Sequence, residues 1–180
     1  MSSTEAPEGV AEGNDDDVPE NTHTDTAYDV PVSSSNGQIV LHPEIDSYER
    51  LVNNLAADGY QMCIDLCGVD YFKNLTRKLP NGATAERFEL VINLLDLSAK
   101  RRIRMRVQLP EDDPKVPSIS MIYPGAEAME REASDMFGFV FEGHPDPTPI
   151  LLPEGWVGHP LRKDFSMGRI PVQFKAVEGR

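Results

Sequence analysis

Apolar residues recur along this chain with two different periods, and the periods set out its elements. From Pro43 to Asp58 the apolar positions Ile45, Tyr48, Leu51, Val52, Leu55 and Ala56 fall three and four apart, which places them on one face of a helix. Pro43 suits the first helical position, and Gly59 suits the left-handed residue just past the end. The next segment, "YQMCIDLC", alternates instead. Tyr60, Met62, Ile64 and Leu66 should point one way, and Gln61, Cys63, Asp65 and Cys67 the other. A loop over residues 68–85 follows, with a turn at Pro80-Asn81-Gly82.

The segment "RFELVINLLDL" is apolar on nearly both faces, the pattern of a central strand. After a polar turn at Ser98-Ala99-Lys100 comes "RIRMRVQL", in which Ile103, Met105, Val107 and Leu109 oppose Arg102, Arg104, Arg106 and Gln108. A link rich in Pro and Asp, residues 110–117, leads to "SISMIY", read as a short strand. Residues 126–137 return to the helical period, with Ala126, Met129, Ala133, Met136 and Phe137 inward. On the outward face Glu127, Arg131 and Asp135 stand four apart, where their charges can pair. A helix, several neighbouring strands and a second helix imply an α+β domain in two layers, with a mixed, largely antiparallel sheet and flanking helices. Beyond Gly138 prolines and glycines are too dense for long regular elements. The resulting division is an acidic tail over 1–38, an α+β domain over 39–142, and an extended Pro/Gly-rich C-terminal arm over 143–180.

Charge sharpens that division. The formal net charge is −13, yet no Lys or Arg precedes Arg50, and residues 1–47 hold eleven acids. The rest of the chain, with nineteen acids against seventeen bases, is close to neutral. The tail has few aliphatics and no hydrophobic period, so it is expected to be disordered and to act as a solubilising arm. No basic region followed by an apolar stretch marks a secretory signal, and no apolar run reaches the ~18 residues of a membrane span. The expectation is a chain without its own membrane anchor, working in a reducing compartment.

Several chemistries are then disfavoured. On a strand, Cys63 and Cys67 would share a face about 13 Å apart at ~3.3 Å per residue, beyond disulfide reach. Two cysteines fall short of the ligands an iron–sulfur cluster normally takes. Neither a dinucleotide glycine turn nor a phosphate loop is present. The basic run "KRRIRMR" gives only a short stripe bordered by acids, so no nucleic acid partner is expected.

The residues that remain are those of the arm. Gly143-His144-Pro145 and Gly158-His159-Pro160 repeat one triplet. His144 and His159, with Asp146 and Asp164 nearby, could in principle serve a metal-dependent hydrolase, but neither has a helical i, i+4 mate and too few ligands stand near. Backbone chemistry accounts for them better. A residue before proline is driven to extended conformations, and the preceding glycine can take positive φ, so each triplet is a stiff corner carrying an imidazole. Phe137, Phe139, Phe141, Ile150, Leu151, Leu152 and Trp156 are too many apolar groups to leave in water. They can serve the core, or anchor a protein partner with Arg162, Lys163 and Asp164 adding polar pairing.

The segments "EREASDMFGFVFEGHP", "ILLPEGW" and "GHPLRKDF" resemble the 30 kDa (C) subunit family of respiratory complex I, the bacterial NADH–quinone oxidoreductase. A looser likeness, including "CGVDY" and "VPSISMIYP", reaches back to about residue 43. Two positions depart from the family pattern: Ala128 stands where Trp is usual, and Pro147-Thr148-Pro149 stands where Leu-Arg-Arg is common.

The resemblance implies a structural subunit of the hydrophilic arm, with no catalytic, metal or cofactor-binding residues of its own. It would pack chiefly on the 49 kDa (D) subunit, with subunits B and I as further contacts. The parent complex would pass electrons from NADH to ubiquinone or menaquinone with proton translocation, at the cytoplasmic face of the cell membrane, which the subunit would reach only through the complex. Partner-binding residues are expected at Phe141, His144, Leu152, Trp156, His159, Arg162, Lys163 and Asp164. The alternative is the equivalent subunit of a membrane-bound hydrogenase or of an oxidoreductase with another electron donor.

Overall fold

The computed structural model describes residues 26–166. Its elements are β1 (Thr26–Ala27), β2 (Val30–Ser35), β3 (Gln38–Leu41), α1 (Ile45–Ala57), β4 (Met62–Asp70), β5 (Phe88–Asp96), β6 (Arg101–Leu109), β7 (Lys115–Pro117), α2 (Ala126–Phe137) and β8 (Val140–Glu142). The first six strands form one sheet in the order β1-β2-β3-β6-β5-β4. All its pairings are antiparallel except β3 with β6, and β7 and β8 make a separate parallel pair. The architecture is therefore the mixed, largely antiparallel α+β fold that the periodicities imply.

The two central strands show why. Phe88, Leu90, Ile92 and Leu94 of β5 lie opposite Leu109, Val107, Met105 and Ile103 of β6, pair by pair. All eight are at most 1% exposed, on the face that the helices cover. Tyr48, Leu51, Val52 and Leu55 from α1, and Ala126, Ala133 and Phe137 from α2, join the same core cluster. Burying each large aliphatic or aromatic side chain contributes roughly 1.5–3 kcal/mol before entropy is counted, so this face holds the domain together.

On the other face β6 turns Arg102, Arg104, Arg106 and Gln108 away from the core. Part of that face is roofed by residues 71–87. Arg77 lies 3.7 Å over the Tyr71 ring and donates to the side chain of Gln108. Arg106 donates to Tyr71 Oη at 3.0 Å and to the wholly buried Glu89 at 2.6 Å. His42 sits at the rim of this polar layer, 2% exposed and bonded to Ser33 Oγ at 2.8 Å. Burial, aided by Arg106, pushes its pKa down to about 4.

Several expectations need correction. The domain does not begin at residue 39. Residues 26–38 build β1, β2 and the start of β3, with Asn36 and Gly37 at φ +52° and +74° making the tight hairpin turn that Asn-Gly favours. Residues 1–25 of the expected acidic tail and 167–180 of the expected arm lie outside the described residues. Pro43 precedes the cap of α1, Glu44, rather than opening the helix.

Strand β4 carries a bulge between Cys63 and Asp65 and runs on to Asp70, shortening the loop expected from residue 68. One extra residue reverses the alternation: Cys63 and Leu66 are buried while Met62 is 44% exposed. The two cysteines consequently do not share a face, since Cys67 is exposed. Finally, "SISMIY" is a turn and not a strand. Ile122 and Tyr123 both donate backbone N–H to Ile119 O, at 3.0 and 2.8 Å. The buried Glu130 takes the Ile119 N–H at 2.8 Å, so only the Ser118 N–H bonds to a strand, at Glu142 O of β8, 2.8 Å away.

Candidate functional site

The segment over 143–166 doubles back on α2, and its polar groups complete that helix. The last carbonyls of a helix lack intrahelical donors. Here Ser134 O receives the Gly138 N–H at 2.8 Å, and Asp135 O the His159 Nδ1–H at 3.0 Å. Met136 O receives the Leu161 N–H at 3.1 Å, and Phe137 O receives Arg162 Nε–H at 2.6 Å. The motif "GHPLR" thus caps α2 with one imidazole, one backbone amide and one guanidinium. Gly138 allows the approach. It sits at φ +74°, and a methyl group there would lie 2.7 Å from Arg162 Nη2.

The other triplet fixes the start of the arm. His144 Nδ1 accepts the Asp146 N–H at 3.1 Å, which leaves the proton on Nε2 to donate to Glu127 O at 3.0 Å. Glu130 Oε2 stands 3.7 Å from the same Nε2. Both histidines are therefore engaged by the backbone of α2, and no group of three or more His, Cys, Asp or Glu stands so as to hold a metal among the described residues.

Two carboxylates secure the middle and the end. Asp135 Oδ2 accepts three successive backbone N–H groups, from Ile150, Leu151 and Leu152, at 3.0, 2.7 and 3.1 Å. Its side chain does not pair along the helix with Arg131, as the four-residue spacing suggests. Arg131 turns to Thr148, donating to its carbonyl at 2.8 Å and its Oγ1 at 3.0 Å, with Asp146 at 3.3 Å. Thr148 of the departing Pro-Thr-Pro is thus what Arg131 holds.

At the far end Arg87, whose side chain is 4% exposed, binds Asp70 at 3.1 Å and Asp164 at 2.7 Å, and also pairs with Glu111. Asp70 accepts the Lys163 N–H at 2.7 Å and the Phe72 N–H at 2.8 Å. Burial alone would raise the Asp70 pKa, but these donors win and hold it below the usual carboxylate range. Asp164 is lowered chiefly by its bond to Arg87.

Among the expected partner-binding residues, the structure thus turns His144, His159 and Arg162, with the Lys163 amide, inward, while Asp164 pairs with Arg87 from a side chain that is 45% exposed. Phe141 lies in the core, opposite Val116 in the β7–β8 pair. Leu152 and Trp156 are half-buried, the indole 6.5 Å from the Phe165 ring and stacked on it. Four aliphatic side chains of the arm stand in solvent, Ile150, Leu151, Val157 and Leu161 at 42, 57, 87 and 49% exposed, beside the exposed Thr148, Glu154 and Lys163. Many of its hydrogen bonds run back to the body, while these aliphatic groups stay uncovered. Sequence reading missed Arg87, Asp70 and Glu130 as organising residues. The one available signal was charge placed at apolar-period positions: Glu130 lies between Met129 and Ala133 on the inner side of α2.

No helix among the described residues is long and apolar enough to cross a membrane. Residues 41–170 match the family model described as respiratory-chain NADH dehydrogenase, 30 Kd subunit. The C-subunit of NADH-quinone oxidoreductase from Saccharopolyspora erythraea is 39% identical over 150 residues, which are 82% of this chain and 57% of that protein. The chain therefore spans little more than half the length of this relative. Among solved structures, the trypsin-resistant fragment (1-134) of Nqo5 superposes with a TM-score of 0.58 at 30% identity, covering 65% of this chain and 89% of the fragment. A chain of the membrane-bound sulfane sulfur reductase, an archaeal respiratory membrane complex, shares the fold with a TM-score of 0.60 at 20% identity, over 86% of this chain and 91% of that one.

Proposed function

Because the chain belongs to the family of the 30 kDa subunit of the respiratory-chain NADH dehydrogenase, we propose that it is a structural, non-redox subunit of an NADH–quinone oxidoreductase. It docks through the outer face of its arm on the 49 kDa (D) subunit, at the cytoplasmic face of the membrane, and reaches the membrane only through the complex. It supports electron transfer to quinone and coupled proton translocation by fixing its neighbours, not by reacting.

The observation that carries this reading is the set of exposed aliphatic groups on a pinned arm. Four aliphatic side chains stand in water on a backbone pinned by Asp135, His159, Arg162 and Arg87. A surface ordered before binding loses less entropy on association, and apolar groups on such a surface recover their exposure only by being covered. Leu151→Asp combined with Val157→Asp tests it. Both residues are exposed, so the domain should keep its unfolding temperature while co-purification with the 49 kDa (D) subunit falls at least about tenfold. Unchanged co-purification would overturn the docking surface.

A second reading, the equivalent subunit of a complex with another electron donor, draws on the fold shared with the sulfane sulfur reductase chain. Identity of 39% to an NADH–quinone oxidoreductase subunit against 20% to that chain favours NADH. Identifying the subunits that co-purify with the chain decides between them: a flavin- and NADH-binding module among them supports the first reading, and a complex without one supports the second.

A further inference from the structure

One groove lies apart from the exposed aliphatic groups of the arm and meets the arm only at Gly143. It lies between α1 and the turn over 118–122, holds about 520 Å³, and is lined by the buried Val52 and Ile119, by Pro117, and by Met121. Met121 is 81% exposed, yet it stands on a turn fixed by a buried carboxylate. Glu130, 0% exposed, accepts the Ile119 N–H at 2.8 Å and the Ser118 Oγ–H at 2.5 Å. An apolar, polarizable side chain on a rigid support is suited to meeting another surface, since a thioether adapts its rotamer to what it touches.

The rim of the groove is acidic. Glu49 from α1 and Glu142 from the end of β8 both line it and are exposed. Neither forms an ion pair with a basic side chain among the described residues, and the nearby Lys115 is held by Asp113 at 2.9 Å. A long apolar group would find Val52, Ile119 and Met121, while an adjacent cation would find two carboxylates.

We infer that this groove is a second contact surface, which receives a large apolar side chain flanked by lysine or arginine from a neighbouring subunit of the complex. The occupant's charge follows from complementarity: an acidic partner would meet the carboxylates of Glu49 and Glu142, neither in an ion pair among the described residues. The inference rests on the chain working inside a multi-subunit complex, but not on the arm being the surface that holds it there.

The test uses the assembled complex purified with p-benzoylphenylalanine replacing Met121. Irradiation should crosslink the chain to another subunit, at a peptide with an apolar residue within three positions of a lysine or arginine. A crosslink only to residues 167–180 of the same chain, to a peptide without a basic residue, or to no subunit at all would overturn the inference. Glu49→Lys combined with Glu142→Lys provides the second reading. Retention of the chain in the complex at low salt should fall about tenfold, with the loss shrinking or reversing as salt is added, and undiminished retention would equally overturn it. Co-purification of the unaltered chain reports on the proposed function, and the crosslink within the purified complex reports on the groove, so the two fail separately.

Discussion

Glu130 carries a cost that its neighbours only partly relieve. Burial raises its pKa, while Ser118, the Ile119 amide and His144 pull it back without restoring the ordinary value. The folded state therefore keeps the proton to a higher pH than the unfolded chain does. Its contribution is most favourable below about pH 4, near the unfolded carboxyl value, and is lost as pH rises through the folded value. Glu130→Gln keeps an acceptor for the Ile119 N–H and removes the charge, so its melting temperature should gain on the parent between pH 4 and pH 7. Glu130→Ala leaves that amide unpaired and should cost about 1–3 kcal/mol at any pH. Thermal unfolding of the three proteins across pH checks both.

Gly138 makes a second case at this scale. Alanine there combines positive φ with a collision against His159 and Arg162. Gly138→Ala should destabilise by about 1–3 kcal/mol, and hydrogen exchange should show the loss concentrated over residues 159–165. The glycine was visible in the sequence, but the reason for it was not, because the colliding atoms lie more than twenty residues away.

Elements were legible where one period ran unbroken. The alternation of β6, and the inner faces of α1 and α2, were readable from spacing alone because burial on one face selects residue type at every turn or second position, whereas the β5–β6 register was not. The failures have local causes. A single bulge reversed the alternation in β4, and no composition signal marks an inserted residue. The β2–β3 hairpin was absorbed into the acidic tail because its strands carry serines, although Asn36-Gly37 advertised the turn. The turn at 118–123 mimicked a strand because its backbone is satisfied by Glu130, a partner outside the segment.

The cap on α2 belongs to this scale as well. Arg87 joins the sheet to the arm, and Asp70 and Asp164 both titrate below the usual range. Groups with lowered values stabilise the docked arm above the ordinary carboxylate pKa and lose that effect as pH falls through the lowered values. The arm should stay protected from protease at pH 5 and above and become cleavable only once the pH falls below the usual carboxylate range. Arg87→Met removes the cation and strands Asp70, a change worth about 3–5 kcal/mol for a buried pair. It should expose the arm to limited proteolysis already at neutral pH.

At the scale of the whole molecule, the arm over 143–166 is hydrogen-bonded back to the body while four of its aliphatic side chains stay exposed. The resemblance of the arm motifs gave the family, and the structure divides the work within those motifs. His144, His159 and Arg162 bond to α2, while Ile150, Leu151 and Val157 between them stay exposed. The sequence could not separate these roles, since both use the same crowded stretch. A free chain with Leu151 and Val157 in water should self-associate. Its apparent mass in light scattering should rise with concentration, and Leu151→Asp should reduce that rise.

The inserted residue in β4 leaves one thiol on each side of the sheet. Burial pushes the Cys63 thiol up to about 11, while Cys67 stands exposed on the outer strand. A maleimide dye or nitroxide added to the native polypeptide should therefore attach at Cys67 first, without engineering. Mass spectrometry should find one adduct in the folded form and two after denaturation, and that tag would allow assembly with neighbours to be followed by fluorescence or electron spin resonance.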